Sequence, residues 1–182
     1  MGYRNRFDRD GSSQTMGNEA EIRFIDYLNS KNVTFRKATL QEQYSHVDFI
    51  ISTKNTYGVD VKATKRISRH DQSISPEIIW VEFQNEEGYS GWLYGKSKYI
   101  VFDKIDEYGF YWIPLIQLRK FCEDNCNKGF TTDVHDAIYK KYQKKGRKDI
   151  ISQIYFSDLK KLQYVFTPYD NDTIIKLKRE GF

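Results

Sequence analysis

Apolar and polar residues alternate through His46-Val47-Asp48-Phe49-Ile50-Ile51-Ser52 and again through Gly58-Val59-Asp60-Val61-Lys62-Ala63. Period-two alternation marks half-buried strands, and Lys54-Asn55-Thr56 between them is turn-forming. The stretch is therefore expected to be a hairpin, its first strand ending near Ser52 and its second opening at Gly58. Val47, Phe49 and Ile51 then point to one face and Asp48 to the other. On the second strand Val59, Val61 and Ala63 form the apolar face, with Asp60 and Lys62 opposite. A turn centred on Asn55 sets Asp48 across from Lys62 and diagonal to Asp60, whereas a turn centred on Lys54 sets Asp48 facing Asp60 directly. Both registers gather two carboxylates and an ammonium on one face.

Upstream the period changes to that of a helix. Phe24, Ile25 and Leu28 follow Glu21 at i+3, i+4 and i+7, which places Glu21 on the stripe facing a core. Glu19 shares its face with Ile22, Arg23 and Asp26, a mixed and solvated surface, so helical geometry favours Glu21 over Glu19 as an inward acid. A carboxylate on a buried stripe needs a partner, and a metal site would supply one.

Downstream, Ile78–Phe83 and Ser97–Asp103 read as strands extending a mixed sheet, joined by a turn-rich loop with Gly88 and Gly91. Phe110–Pro114 is a fifth short strand, and Pro114 starts a helix through about Cys126 with Leu115, Leu118, Phe121 and Cys122 as its stripe. Beyond Gly129 the pattern predicts a helix over Val134–Tyr142, a strand over Ile150–Phe156 and a capped helical turn over Ser157–Leu162.

The charged face of the hairpin suits a hard divalent cation. Mg²⁺ prefers carboxylate oxygens, keeps several waters and typically binds through one or two acidic side chains plus substrate phosphate. A lysine two residues from such a ligand, on the same face, lies roughly 6–7 Å along the strand. There it can orient an attacking water or stabilise charge building on a phosphate.

Asp48, eleven intervening residues, then Asp60-Val61-Lys62 resembles the signature of the PD-(D/E)xK nuclease superfamily. That group includes restriction endonucleases, archaeal-type Holliday junction resolvases and recombination exonucleases. Val47 stands where the proline that names the motif would be, a departure common in the group. The helix GNEAEIRFIDYLNSKNV is similar to the opening helix of the junction resolvases, with Gly17, Glu21 and Leu28 at matching spacing. The resemblance covers about residues 15–105 and is confined to these motifs.

It implies an α/β protein with a restriction-endonuclease-like mixed central β-sheet flanked by helices. It also implies a Mg²⁺- or Mn²⁺-dependent nuclease hydrolysing phosphodiester bonds in DNA. Asp48 and Asp60 would be the principal ligands, Glu21 would complete the shell directly or through water, the Val61 carbonyl would add a ligand, and Lys62 would position the attacking water. The opening helix points to structure-selective action on branched DNA by a homodimer, since two symmetric cuts need two sites. A reading from another class is a nuclease-like fold that only binds nucleic acid or a protein partner.

At 182 residues the chain suits one α/β domain. The expected division is a flexible arm over 1–14 and a single domain over 15–182, its core about 15–127 and a small, mostly helical C-terminal extension about 128–182. No apolar run approaches the ~18 residues of a membrane span, and the start lacks the apolar segment of a secretory signal. With only Cys122 and Cys126, a disulfide framework is not expected, and a reducing cytoplasmic compartment is.

Net charge is +4, with basic residues clustered. Lys62, Lys65, Arg66 and Arg69 follow the proposed ligands and are candidate DNA contacts, and Lys140–Lys148 forms a second cluster. Tyr89, Trp92 and Tyr94 lie in the turn-rich loop, where aromatic side chains can stack on bases. Glu82 and Gln84 share a strand face and read as a solvated pair, and of His46, His70 and His135 only His46 is near the charged face.

Overall fold

The computed structural model describes residues 12–65 and 75–181. In chain order the helices are α1 (Ser12–Ser30), α2 (Leu40–Gln43), α3 (Leu115–Asn125), α4 (Phe156–Leu159) and α5 (Asn171–Glu180). The strands are β1 (Thr34–Lys37), β2 (Phe49–Ser52), β3 (Thr56–Ala63), β4 (Ile78–Gln84), β5 (Tyr99–Lys104), β6 (Gly109–Pro114), β7 (Phe130–Thr131), β8 (Lys141–Tyr142), β9 (Ile150–Tyr155) and β10 (Val165–Pro168). The protein is α/β, built on two mixed sheets ordered β1-β2-β3-β5-β6-β10 and β4-β9-β8-β7. Among the described residues no helix is long and apolar enough to cross a membrane.

The first sheet is apolar on both faces because the odd and even positions of its strands serve different cores. Phe49, Ile51, Val59, Val61, Val101 and Phe110 pack against Ala20, Phe24, Tyr27 and Leu28 of α1 and Leu177 of α5. Those α1 positions recur at helical spacing, so one stripe meets the sheet. On the other face Ile100, Phe102, Tyr111 and Ile113 pack against Ile79 and Val81 of β4, Ile154 of β9, and Leu118 and Cys122 of α3. The order of layers is thus α1 and α5, the first sheet, then α3 with the second sheet.

The hairpin forms as β2 and β3, with Phe49 paired to Val59 and Ser52 to Thr56. That register centres the turn on Lys54, and the second strand opens at Thr56, two residues before Gly58. A Cβ on Gly58 would sit 2.8 Å from Val47 Cγ1, so a glycine lets the two strands close at that point. β3 then runs parallel to β5, with Asp60 beside Ile100 and Lys62 beside Phe102.

Several expected elements fall differently. The strand at Ile78–Gln84 does not extend the first sheet but stacks over it and pairs with β9. Its alternating pattern is satisfied equally by either placement, since it specifies only which side chains are buried. The helix expected over Val134–Tyr142 is a single 3-10 turn at Val134–Asp136, followed by β8. Tyr139 takes a left-handed φ of 55° and its N–H donates to the Gln153 carbonyl of β9, while the Gln153 N–H donates to the Ala137 carbonyl, so the segment's hydrogen bonds go sideways rather than along a helix. The region from 128 is accordingly not mostly helical: β9 completes the second sheet and β10 pairs with β6 of the first. The capped turn at Ser157–Leu162 is α4, one residue earlier, with the Phe156 N–H held by the Glu77 carbonyl instead of a side-chain cap. At the other end α1 starts at Ser12, inside the arm expected over 1–14.

Candidate active site

Asp48 is held by three backbone contacts on the way into β2. Its carbonyl accepts from Ala38 N–H, its N–H donates to the Val59 carbonyl, and its Oδ2 accepts from Val61 N–H, each at 2.8 Å. The carboxylate is thereby drawn across the backbone of β3 at Asp60. Of the two registers open from the sequence, the hairpin takes the one centred on Lys54; its regular pairing ends at Phe49 and Val59, and Asp48 just before it bonds to Val59 and Val61 on either side of Asp60.

Asp60 is 1% exposed and carries two different oxygens. Oδ1 accepts from Lys62 Nζ at 2.5 Å, and Oδ2 is buried with no hydrogen-bond partner. Burial pushes this carboxyl well above the usual aspartate range; Lys62 pulls against that, and the nearby Asp48 charge adds to it. Burial disfavours the Lys62 charge as well, but the attraction of Asp60 and then Asp48 outweighs it, and the ammonium sits above the ordinary lysine value.

Glu21 lies at the edge of the α1 stripe, its side chain 31% exposed and its Oε2 3.4 Å from Lys37 Nζ. Burial and the Asp48 charge raise its pKa, with Lys37 and Lys62 opposing, so it shares the electrostatic field of the aspartates. Glu19 is exposed, as are Ile22 and Asp26 on the same face. Arg23 alone of that face is half-buried: it donates twice to the fully buried Asp103, at 3.0 and 2.7 Å, and the Tyr169 hydroxyl donates to the same carboxylate.

Three further groups surround Lys62. The ring of Trp92 is 5.3 Å from its Nζ, near enough for a cation–π contact. The Trp92 backbone is in turn held by its main-chain N–H, which donates to Glu82 Oε2 at 3.2 Å. Glu82 is therefore engaged at the site rather than simply solvated, whereas Gln84 donates to the Lys148 carbonyl. His46, with φ 57°, places Nε2 3.2 Å from the Ser90 carbonyl, and burial together with the Lys62 charge lowers its pKa. Trp92 looks from sequence like a loop aromatic; nothing local signals that the long connection from β3 to β5 folds it back over Lys62.

Val61 is buried with its N–H on Asp48. Lys65 is exposed just past β3, and Arg66, Arg69 and His70 lie outside the described residues. His135 is in the 3-10 turn at Val134–Asp136, far along the chain from these groups. Cys122 and Cys126 are free and buried in the core between the sheets. Among the described residues no group of three His, Cys, Asp or Glu side chains converges tightly enough to surround one ion. The Asp48–Asp60 pair, with one buried oxygen unpartnered, nonetheless matches what Mg²⁺ asks of a protein, namely one or two carboxylates with water and phosphate supplying the rest. The shallow cleft along α5, lined by Asp172, Ile175 and Arg179, shares no residue with this cluster. Comparison of the chain with protein-family models, with curated proteins and with solved structures finds no match.

Proposed function

We propose that this protein is a divalent-metal-dependent nuclease of the PD-(D/E)xK type that hydrolyses phosphodiester bonds in DNA. The observation that carries the reading is Asp48 bonded to the residues on either side of Asp60, with Lys62 on one Asp60 oxygen and the other oxygen buried without a partner. Leaving a buried carboxylate oxygen unsatisfied is costly, and two crowded carboxylates repel; a cation relieves both. The mixed first sheet with helices on its faces supports reading the core as restriction-endonuclease-like.

In this reading Asp48 and Asp60 would hold Mg²⁺ or Mn²⁺, with Glu21, directly or through water, and the Val61 carbonyl as the further groups that would hold it. The ion would polarise a phosphoryl oxygen and lower the pKa of its bound water. Lys62, held by Asp60 and Trp92, positions that water and stabilises the phosphate charge. Branched DNA is the proposed substrate form and a homodimer the proposed working state.

The test is a cleavage assay with Mg²⁺ or Mn²⁺ on supercoiled, linear, single-stranded and four-way-junction DNA and on RNA, with Lys62→Ala beside the wild type. Metal-dependent cutting lost in the variant supports the proposal, and the preferred substrate assigns its form. Absence of a three-acid cluster among the described residues gives a binding-only module its footing. Salt-sensitive binding without cutting of any substrate would select that module.

A further inference from the structure

The loop from β4 to β5 connects the candidate active site to a second surface. At its near end the Ser90 carbonyl meets His46, two residues from Asp48, and Trp92 covers Lys62. At its far end Asn85 builds a tight turn: its Oδ1 accepts from the N–H groups of Glu87 and Tyr89, its N–H donates to the Tyr89 carbonyl at 2.8 Å, and Gly88 supplies a φ of 93°. Tyr89 stands on this fixed turn with 69% of its surface exposed. Because the backbone of the turn is already fixed, little further ordering of it is needed when the aromatic stacks on a ligand.

Lys148 of the second basic cluster comes to the same place, and a turn closed by the Arg147 N–H on the Lys144 carbonyl precedes it and carries Lys144 and Lys145. Pairing of β9 with β4 brings Lys148 over the Asn85 turn, where its carbonyl accepts from Gln84 Nε2 at 2.6 Å and its Cδ lies 3.3 Å from where a Gly88 Cβ would stand. Lys144, Lys145 and Lys148 are exposed and make no ion pair among the described residues, while Arg147 is engaged with Asp149. The opposing charge on the turn is Glu87, which is exposed, and Glu86, which is half-buried.

We propose that Tyr89 with Lys144, Lys145 and Lys148 forms a contact surface for single-stranded DNA beside the active site, Tyr89 stacking on an unpaired base and the lysines taking the flanking phosphates. Stacking needs an exposed base face, which a blunt duplex does not offer in its interior, so the surface selects strands with unpaired nucleotides. Junctions, gaps and ends supply them. The inference rests on the nuclease reading for its role but not for its test.

The experiment is fluorescence anisotropy in EDTA across a range of salt, with one labelled sequence as single-stranded DNA, blunt duplex and single-stranded RNA. Wild type should prefer the single strand to the duplex. Tyr89→Ala should weaken single-strand binding roughly tenfold while Tyr89→Phe keeps it. Lys144→Ala, Lys145→Ala and Lys148→Ala combined should reduce the slope of log affinity against log salt by about 2. RNA bound with the same dependence on Tyr89 also supports the surface and widens it to either sugar. Equal binding by wild type and Tyr89→Ala, a duplex bound as tightly as the single strand, or no binding at all would overturn it. All variants lie in exposed turns, and unchanged melting temperatures would show that they fold. Because no metal is present, these outcomes are independent of cleavage, which stands or falls with Lys62→Ala.

Discussion

Lys62 and Asp60 form an ion pair at 2.5 Å in which the lysine keeps a quarter of its side chain exposed and the aspartate 1%. The two partners are thus unequally solvated, and Asp60 bears the larger desolvation cost. Because burial raises its folded pKa, the folded state holds a proton that the unfolded chain has already lost above the ordinary aspartate value. Stability therefore declines as pH rises through that window and stays reduced above it. Asp60→Asn removes this cost while keeping shape, and Lys62 can extend its ammonium to water.

Asp60→Asn in EDTA near neutral pH should accordingly melt at or above the wild-type temperature. Ca²⁺ or Mn²⁺ should stabilise the wild type by about 2.7 kcal/mol at a hundred times its dissociation constant, which is about 5–10 °C for a chain this long, and should leave the variant unmoved. Differential scanning fluorimetry reads both. A variant well below wild type, with no metal response in either, would mean that the charges serve only as a salt-bridged sheet surface.

Lys62→Ala separates binding from chemistry. The metal-induced rise in melting temperature should persist, since the carboxylates remain, while the cleavage rate falls roughly 10²–10⁴-fold. The apoprotein should lose about 1–3 kcal/mol, because Asp60 is left buried without its cation and answers by taking up a proton. Cutting at the wild-type rate would remove Lys62 from the mechanism.

Gly91 governs how the loop is seated over Lys62. A Cβ there would meet the Glu82 carbonyl oxygen at 2.3 Å and its carbon at 2.6 Å, both backbone atoms that cannot swing aside. Gly91→Ala should therefore cost about 1–3 kcal/mol and pull Trp92 away from the ammonium. Trp92→Leu, which keeps apolar bulk but no ring face, should lower turnover more than it weakens substrate binding. An unchanged kcat in Trp92→Leu would reduce the indole to a core filler.

How much of this was legible beforehand follows from the range of each interaction. The hairpin and its charged face could be read because strand alternation is a local property of Val47–Ile51 and Val59–Ala63. The register could not, because Asn55 and Lys54 serve equally well as the centre of a turn. The approach of Glu21 to Asp48 and the cover of Trp92 over Lys62 depend on how a helix and a long loop dock on the sheet, and no sequence period encodes that. Arg23 and Asp103, 80 positions apart, are the extreme case. A short helix did have a signature: Thr39 and Glu42 form a reciprocal capping box at the spacing that motif requires.

The Arg23–Asp103 pair should matter for folding and not for chemistry. Asp103 is fully buried, and Arg23 is 15% exposed. Arg23→Met should cost about 3 kcal/mol, because it strands a buried carboxylate with only a tyrosine hydroxyl for company. Combining it with Asp103→Leu should recover much of that loss, as an apolar pair often replaces a buried ion pair without penalty. Metal-dependent cleavage at a temperature where each variant is folded should match wild type. A double variant no better than Arg23→Met would mean that Tyr169, whose hydroxyl donates to the carboxylate, depends on it for its own order.

Acid should also loosen the segment that leads into Asp48. Hydrogen bonds from Arg36, and then from the Thr39 backbone N–H, hold the Glu42 carboxyl down at about 2. A depressed carboxylate stabilises the fold above its unfolded pKa and loses that contribution as pH falls through the folded one, here between about 4.5 and about 2. The Glu42 carbonyl also receives the Val47 N–H at 3.2 Å, so the same turn sets the entry of the strand that carries Asp48. Glu42→Gln should lower the urea midpoint at neutral pH, and the gap to wild type should close as the pH approaches 2. A gap that stayed constant across that range would show that the capping geometry, rather than the charge on Glu42, holds the turn.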